Sequence, residues 1–283
     1  MLVADPTSAS QARPIRIAMS AAFVSEAGLH VYDDLSAYLA GKMGKKIEFV
    51  TGFGYQTIND MLDAGAIDVA FICGLPYVLL HDRKNSPIEL IAAPVMKHQR
   101  YNNRPKYFSD LIVRKNSDVR SLADLRGRTY VFNEELSNSG YNMPRYRLLK
   151  LGFTEQFFGR VLRSGSHEES IRMVAEGLAD ASFVDSLVLE YDRDYGGDAA
   201  NLVRVVESIG PAGIPPVVMS NRVPATLRDE VKRHLLAMHD DPAGRSILDR
   251  ALIARFVATD DSNYQDIRSM LRTAKKAGYT TIQ

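Results

Sequence analysis

The sequence predicts an α/β protein of two domains, each a mostly parallel sheet flanked by helices, with a ligand cleft between the domains. Strand and helix patterns alternate along residues 15–73, as in parallel sheets covered by helices. The composition changes abruptly at residues 114–118 and again at the Gly- and Pro-rich residues 208–216, which indicates two crossings between domains and a hinge there. A chain of 283 residues is also long enough for two cores.

The composition excludes several classes of partner and site. The 35 Lys and Arg residues nearly balance the 34 Asp and Glu residues, so the chain has no overall field that would attract nucleic acid or anionic lipid. Cys73 is the only cysteine, which excludes an internal disulfide and a cysteine zinc cluster. We expect no metal and no cofactor, and we expect Cys73 to be a buried apolar side chain rather than a reactive thiol.

The sequence contains no run of about 18 apolar residues, so it predicts no membrane-spanning segment. Residues 1–13 are predicted to be a flexible segment that lacks the basic start and apolar core of a signal peptide. The protein is therefore either cytoplasmic or the mature form of a secreted protein whose leader has been removed.

The first domain begins with a strand at residues 15–19 and a helix at residues 28–43, whose apolar side chains recur every three or four positions. A second strand, at residues 46–50, leads through a Gly-containing loop into a further helix. The continuous apolar run of residues 67–73 is typical of a strand covered on both faces. Ligands of such sheets gather at the carboxyl ends of the strands, so we expect the site there.

The remaining elements complete both domains. Further strands are predicted at residues 89–94, 107–113, 129–133, 179–184, 202–207 and 217–220, and further helices at residues 168–177, 185–194, 225–238, 243–251 and 263–277. Residues 14–113 and 210–283 form the first domain, which carries both chain ends. Residues 114–209 form the second domain, which is inserted into the first.

A polar turn in the second domain is the strongest candidate for a binding site. Ser137, Asn138, Ser139 and Gly140 follow a strand and open a helix, so that hydroxyls, an amide and exposed backbone N–H groups meet at one point. Such a helix start binds anions readily, although an ordinary Ser-capped helix has the same composition. Pro144 lacks an N–H and lies one turn into the helix, so the helix should begin in two steps or with a kink.

Residues 55–73 resemble residues 167–185, at a constant shift of 112 positions. Four identical pairs define this repeat: Met61 and Met173, Gly65 and Gly177, Asp68 and Asp180, Phe71 and Phe183. Both copies predict a helix, a Gly cap and a buried strand. Tyr55 and His167 therefore begin the two helices, and Cys73 and Asp185 end the two strands, which should bring all four to the border of the cleft.

Four segments carry a resemblance to a known family: residues 118–127 (DVRSLADLRG), 137–141 (SNSGY, with Pro144), 165–168 (GSHE) and 179–185 (ADASFVD). They resemble the substrate-binding proteins of phosphate, phosphite and phosphonate ABC transporters, which have the type II periplasmic binding protein fold. The resemblance extends from about residue 15 to residue 277. The serine turn together with GSHE is its more specific part.

The resemblance implies a solute-binding component of an ABC importer, not an enzyme, that captures a small phosphorus oxyanion in a hinged cleft. The oxyanion would be held by the serine turn, by a histidine donor and by two tyrosines that face the turn from the first domain. These side chains are Ser137, Asn138, Ser139, His167, Tyr55 and Tyr107. The implied partner is an ABC permease in the inner membrane. The protein would be a monomer without a nucleic-acid partner, periplasmic or membrane-anchored outside the cytoplasm.

The sequence departs from that family at several positions. Asn138 stands where the family often has Thr. Leu187 stands where aminoalkylphosphonate binders have an acidic residue, and residues 210–212 lack the second acidic residue, so the sequence gives no support for an amine pocket. Asp185 either accepts a hydrogen bond from a protonated oxyanion, which would reject sulfate, or caps a helix, and both interpretations stay open.

Two other functions fit the same fold. An enzyme of the thiamine pyrimidine-precursor type would use Cys73, His167 and Asp185 in one cleft, but the sequence shows no nucleophile next to a base and no HExxH-type metal motif. The ligand-sensing domain of a signalling protein would have the same cleft.

Overall fold

The computed structural model describes residues 13–20, 26–195 and 198–283. Residues 1–12 of the predicted flexible segment lie outside these ranges. The described residues form two lobes, each built on one sheet, which we call the first and the second lobe. No helix in these ranges is long and apolar enough to cross a lipid bilayer.

Strands and helices alternate along most of the chain. The strands are β1 (Ile15–Ser20), β2 (Ile47–Phe53), β3 (Val69–Phe71), β4 (Ile88–Met96), β5 (Lys106–Arg114), β6 (Thr129–Phe132), β7 (Arg160–Arg163), β8 (Ala181–Asp185), β9 (Val203–Gly213), β10 (Val217–Ser220) and β11 (Ile253–Val257). The helices are α1 (Glu26–Met43), α2 (Tyr55–Ala64), α3 (Gly74–His81), α4 (Met143–Leu151), α5 (His167–Glu176), α6 (Ser186–Tyr195), α7 (Asp198–Asn201), α8 (Ala225–Ala237), α9 (Pro242–Arg250) and α10 (Gln265–Lys276).

Each lobe has a mostly parallel sheet, as the sequence predicts. The first sheet has the order β11-β4-β10-β3-β1-β2, in which β10 and β11 run against the other strands. The second sheet has the order β7-β6-β8-β5-β9, in which β5 alone runs against its neighbours. The carboxyl ends of β3, β6 and β8 therefore lead into the residues between the lobes.

The repeat seen in the sequence is a repeat of structure. Gly65 caps the end of α2 and Gly177 caps the end of α5, and both glycines are in the left-handed region, at φ 71° and φ 80°. The strand that follows is preceded in each copy by an aspartate that fixes the neighbouring parallel strand. Asp68 Oδ2 accepts a hydrogen bond from Arg16 N at 2.9 Å, and Asp180 Oδ2 accepts one from Thr129 N at 2.8 Å.

β5 belongs to the second sheet, although the sequence assigns residues 107–113 to the first domain. It pairs with β8 and with the edge strand β9, which continues to Gly213. The pairing of β5 and β9 shifts register around Pro211, and a bulge on an edge strand tolerates the missing N–H of proline. The chain therefore passes between the sheets at residues 97–105 and 214–216, and the division into independent domains stays a prediction.

The sequence does not predict α3 or β11. α3 continues the apolar run of β3 with six buried residues, so periodicity gives no boundary between strand and helix. β11 is a short edge strand whose pairing with the distant β4 is not visible in local sequence.

The last residues of the chain pack on the second lobe rather than the first. Gln283 O accepts hydrogen bonds from Phe157 N and Phe158 N at 3.1 Å each. Tyr279 and Ile282 are buried in the same apolar cluster as these two phenylalanines. The chain thus passes between the lobes a third time after α10.

Candidate functional site

The serine turn, residues 137–140, begins a helix in two steps. A π turn over Asn138–Asn142 is closed by a hydrogen bond from Asn142 N to Ser137 O at 3.0 Å, and α4 follows it. Ser137 Oγ caps the turn by accepting a hydrogen bond from Gly140 N at 2.9 Å. Pro144 lies in the first turn of α4, where a missing N–H has little cost. The predicted two-step start is confirmed.

Both lobes enclose the serine turn. From the first lobe, Cys73 Sγ accepts a hydrogen bond from Asn138 N at 3.3 Å. From the second lobe, Tyr107 OH accepts one from Asn138 Nδ2 at 2.9 Å, and Ser109 Oγ donates one to Ser139 O at 2.6 Å. Tyr107 lies on β5 and so belongs to the second sheet, which corrects its predicted place in the first domain.

Tyr55 begins α2 in the first lobe and is bonded to the second lobe at two points. Its hydroxyl accepts a hydrogen bond from Asn133 Nδ2 at 3.4 Å, and its backbone N donates one to Glu134 Oε2 at 3.4 Å. α2 has no side-chain cap from its own N-cap residue, Gly54, so Glu134 supplies the negative group at this helix start. These bonds run between the lobes, and the structure is therefore a closed arrangement.

His167 begins α5 and faces the two serines. Its Nε2 lies 3.3 Å from Ser137 Oγ and 3.3 Å from Ser139 Oγ. Its Nδ1 accepts a hydrogen bond from Asp185 N at 3.3 Å, which places the proton of the neutral ring on Nε2. Burial lowers the pKa of His167 to about 3, so the ring is an uncharged donor at neutral pH.

Asp185 ends β8 and caps α6. Its Oδ1 accepts a hydrogen bond from Leu187 N at 2.8 Å, and its Oδ2 accepts one from Ser139 Oγ at 3.4 Å. Burial raises the pKa of Asp185 to about 8, and the charge of Asp110 acts in the same direction. The carboxyl group is therefore mostly protonated at pH 7. The capping interpretation is confirmed, while contact with a ligand stays a prediction.

The predicted site residues are all buried, each at most 1% exposed. Direct hydrogen bonds connect six of them in one network: Tyr107, Asn138, Ser137, Ser139, His167 and Asp185. Tyr55 lies beside this network and is hydrogen-bonded to Asn133. Asn133 in turn packs against the serine turn, because a Cβ added to Gly140 would lie only 2.0 Å from Asn133 Oδ1.

Four polar residues of the site escape prediction from the sequence. Asn133 and Glu134 directly follow β6, so the rule that ligands gather at strand ends would have found them. Asn142 donates a hydrogen bond to Asn138 Oδ1 at 3.0 Å from one turn further along the helix. Ser109 lies opposite Asp185 in the pairing of β5 with β8, and no local pattern reveals that register.

Comparison with known proteins finds sequence similarity over most of the chain. The sequence model of one family, described as "ABC transporter, phosphonate, periplasmic substrate-binding protein", matches residues 17–264. The chain is 27% identical over 168 residues to the phosphate-import protein PhnD of Mycolicibacterium smegmatis, a match that covers 56% of this chain and 50% of that protein. It is 23% identical over 236 residues to the phosphonates-binding periplasmic protein of Escherichia coli, covering 81% of this chain and 67% of that protein. The chain thus matches about half to two thirds of the length of these relatives.

Two solved structures share the fold of the chain. A binding protein component of an ABC phosphonate transporter from Pseudomonas aeruginosa superposes with a TM-score of 0.84 at 19% identity, covering 94% of this chain and 88% of that one. PhnD1 from Prochlorococcus marinus in complex with methylphosphonate superposes with a TM-score of 0.81 at 19% identity, covering 93% of this chain and 98% of that one. The predicted fold class is confirmed by these similarities and by the two sheets flanked by helices.

Proposed function

The chain belongs to the family of periplasmic substrate-binding proteins of phosphonate ABC transporters, as its sequence predicts, and we propose that it captures a small phosphorus oxyanion between its two lobes. Proteins of this family are binding components of transporters rather than enzymes. The names of the relatives refer to phosphate, phosphonates and phosphite, and one structural neighbour holds methylphosphonate. These names support a phosphorus oxyanion as the ligand.

The observation that carries the proposal is a cluster of uncharged hydrogen-bond donors at the serine turn. The donors include the hydroxyls of Ser137, Ser139 and Tyr107, the amide of Asn138 and the Nε2–H of His167. A tetrahedral oxyanion has several acceptor oxygens and needs donors that converge from more than one direction. Because the site is buried, these hydrogen bonds would be stronger than the same bonds in water.

Entry of the ligand requires the lobes to separate. In the closed arrangement the donors are bonded to one another and to the opposite lobe, through contacts such as Asn138 N with Cys73 Sγ and Tyr55 N with Glu134. We propose that the segments at residues 97–105 and 214–216 act as the hinge, and that the oxyanion replaces part of this network when the lobes close on it.

Asp185 would share one proton with the ligand. An ionised carboxylate accepts a hydrogen bond from a protonated phosphorus oxyanion and repels sulfate, whereas a protonated carboxyl donates to either anion. Because burial raises the pKa of Asp185 to about 8 in the closed arrangement, we expect its protonated carboxyl to donate to either anion near pH 7, so discrimination against sulfate should be weak there.

Calorimetry on ligand-free protein tests the proposal. We expect phosphite, methylphosphonate or phosphate to bind with a 1:1 stoichiometry. Ser139→Ala should weaken oxyanion binding by roughly 1–3 kcal/mol, the scale of a hydrogen bond to a charged group. Absence of binding by all three phosphorus oxyanions to folded, ligand-free protein would contradict the proposal, and unchanged affinity in Ser139→Ala would remove that residue from the site.

The partners and the location follow from the same proposal. The closed form would be recognised by an ABC permease in the inner membrane, so the protein would act outside the cytoplasm, either free in the periplasm or anchored to the membrane. It would work as a monomer and have no nucleic-acid partner. Copurification of the permease with the protein in the presence of its ligand, but not with Ser139→Ala, tests the partnership.

A further inference from the structure

An apolar cavity of about 60 Å³ lies between the lobes, and its lining includes Leu187, two residues after Asp185, but none of the predicted site residues. Its first-lobe wall comes from α1, β3, β4, β11 and the end of α9, and includes Tyr32, Phe71 and Ala251. Its second-lobe wall comes from one helix, α6, through Leu187, Val188 and Tyr191. The cavity therefore exists only when the two lobes are together.

The cavity adjoins Asp185 through the first turn of α6. Leu187 lines the cavity with its side chain while its backbone N–H is bonded to Asp185 Oδ1 at 2.8 Å. Tyr32 lies close enough for the charge of Asp185, after burial and Tyr191, to raise the pKa of its phenol. Phe71 lies in the strand that leads to Cys73, which is bonded to the serine turn. Three lining residues thus connect the cavity to the site.

The lining is apolar and carries no charge in the described residues. Phe71 packs edge-on against Tyr32 at 5.1 Å between ring centroids and tilted against Phe256 at 6.2 Å. The polar side-chain groups in the wall are the phenols of Tyr32 and Tyr191. An ammonium group in this space would lose its water without gaining a carboxylate, which is costly. The volume corresponds to about two water molecules, and so to about two carbon atoms.

We propose that this cavity receives an uncharged alkyl substituent of the ligand, about two carbon atoms beyond the carbon bound to phosphorus, so that the protein selects short-chain alkylphosphonates. This inference rests on the proposed function, because the oxyanion must sit at the serine turn for its substituent to reach the cavity. Closure of the lobes would then bury the alkyl group and the oxyanion together.

Calorimetry with four phosphonates tests the inference at pH 7. Propylphosphonate and 2-aminoethylphosphonate have the same number of chain atoms and differ in the charge at the end, and methylphosphonate lacks the chain. We expect roughly fourfold tighter binding for each added methylene, so propylphosphonate should bind about 15-fold more tightly than methylphosphonate. 2-Aminoethylphosphonate should bind at least tenfold more weakly than propylphosphonate. Hexylphosphonate should bind more weakly than propylphosphonate, because its alkyl chain is too long for the cavity.

Two variants separate the cavity from the oxyanion site. Ala251→Leu fills the cavity and should abolish the preference for propylphosphonate over methylphosphonate, whereas Ala237→Leu, at an exposed alanine outside the cavity, should retain it. Leu187→Glu adds a carboxylate and should reverse the preference in favour of 2-aminoethylphosphonate. This second variant keeps the inference testable if Ala251→Leu does not fold.

The outcomes distinguish the inference from the proposed function. Equal binding of methylphosphonate and propylphosphonate, or tighter binding of 2-aminoethylphosphonate, would overturn the inference and leave oxyanion binding intact. A preference for propylphosphonate that survives in Ala251→Leu would also overturn it. Failure of every phosphonate, of phosphite and of phosphate to bind would overturn the proposed function and the inference with it.

Discussion

His167 Nδ1 accepts a hydrogen bond from the backbone N of Asp185 at 3.3 Å, so these two buried residues are joined through the backbone of Asp185 rather than through an ion pair. Burial lowers the pKa of His167 from 6.5 to about 3 and raises the pKa of Asp185 from 3.8 to about 8. Both side chains are therefore mostly neutral near pH 7. In the sequence repeat these two positions correspond to Tyr55, which begins α2, and to Cys73, which follows β3.

The two shifts predict opposite dependences of stability on pH. Asp185 binds its proton more tightly in the folded state, so its contribution to the free energy of unfolding is present below pH 4 and is lost as the pH rises towards 8. His167 binds its proton less tightly in the folded state, so its contribution is present above pH 6.5 and is lost as the pH falls towards 3. Between about pH 4 and pH 6.5 the two contributions to the change of unfolding free energy with pH cancel. Above pH 6.5 only the contribution of Asp185 remains, so stability falls as the pH rises.

Asp185→Asn should therefore flatten the loss of stability between pH 6.5 and pH 8. One titrating group contributes at most about 1.4 kcal/mol per pH unit, so the difference from the wild type should reach about 2 kcal/mol across this window. Urea unfolding at four pH values measures it. Asp194→Asn, at an exposed position of α6, is the matched control for loss of a carboxylate. Parallel pH profiles of the wild type and Asp185→Asn would contradict the raised pKa.

Two replacements of His167 should separate the hydrogen bond that it donates from the space that its side chain fills. His167→Ala removes the Nε2–H and should weaken oxyanion binding by roughly 10- to 100-fold, the range expected for a hydrogen bond to a charged group. His167→Gln keeps a donor of similar reach and should recover a large part of the affinity. Because the ring is neutral, the effect of His167→Ala should be the same at pH 5.5 and pH 7.5 when measured by calorimetry. An effect that grows at the lower pH would instead indicate a charged imidazolium.

Most of the residues that meet at the serine turn belong to local patterns that can be recognised in the sequence. The serine turn follows from helix-start chemistry, and His167 and Asp185 follow from the repeat that aligns them with Tyr55 and Cys73. Ser109 is missed because its place beside Ser139 depends on how β5 pairs with β8. The protonation of Asp185 is missed for a related reason, since burial is a property of the assembled lobes.

Prediction of the fold from the sequence likewise fails where the fold depends on contacts between distant segments. Alternating strands and helices and the caps at Gly65 and Gly177 are local, and the sequence predicts them. The sheet to which β5 belongs, and the edge strand β11, are decided by pairing with distant segments. The burial of Tyr279 in the second lobe is likewise decided by packing against residues far earlier in the chain.

Cys73 should report whether the lobes are open. Its side chain is 0% exposed and accepts a hydrogen bond from Asn138 N, and burial raises the pKa of its thiol to about 11. A thiol reagent can therefore reach it only when the lobes separate. Since Cys73 is the only cysteine, the rate of labelling measures opening directly, and it should fall about 100-fold at a ligand concentration of 100 Kd. A labelling rate independent of ligand, although calorimetry shows binding, would contradict closure over Cys73.

Arg100 should hold the segment between the sheets against the second lobe. It binds both carboxylate oxygens of Asp110 at 2.9 and 2.8 Å and reaches Glu190 of α6 at 3.1 Å. The side chain of Asp110 is 0% exposed, so Arg100→Gln leaves a buried carboxylate without its cation and should lower the free energy of unfolding by about 3 kcal/mol. Urea unfolding at pH 7 measures the loss.

The control for Arg100 is Arg250, which pairs with Asp34 where both side chains are about half exposed. Arg250→Gln should change stability little, because exposed ion pairs contribute little. The double variant Arg100→Gln with Asp110→Asn should recover part of the loss, since it removes the isolated charge. Equal effects of Arg100→Gln and Arg250→Gln would show that Asp110 does not need its partner.

Two glycines should respond to alanine in opposite directions. At Gly140 an added Cβ would lie 2.0 Å from Asn133 Oδ1 and 3.1 Å from His167 Cε1, so Gly140→Ala must displace these buried side chains or the serine turn itself. We expect it to destabilise the fold by about 1–3 kcal/mol and to weaken oxyanion binding more than tenfold. At Gly41, inside α1, nothing lies within 4 Å of the added Cβ, and Gly41→Ala should stabilise the protein by about 0.5–1 kcal/mol. Urea unfolding and calorimetry of both variants test this, and wild-type affinity in Gly140→Ala would mean that the turn is not packed against Asn133 when ligand binds.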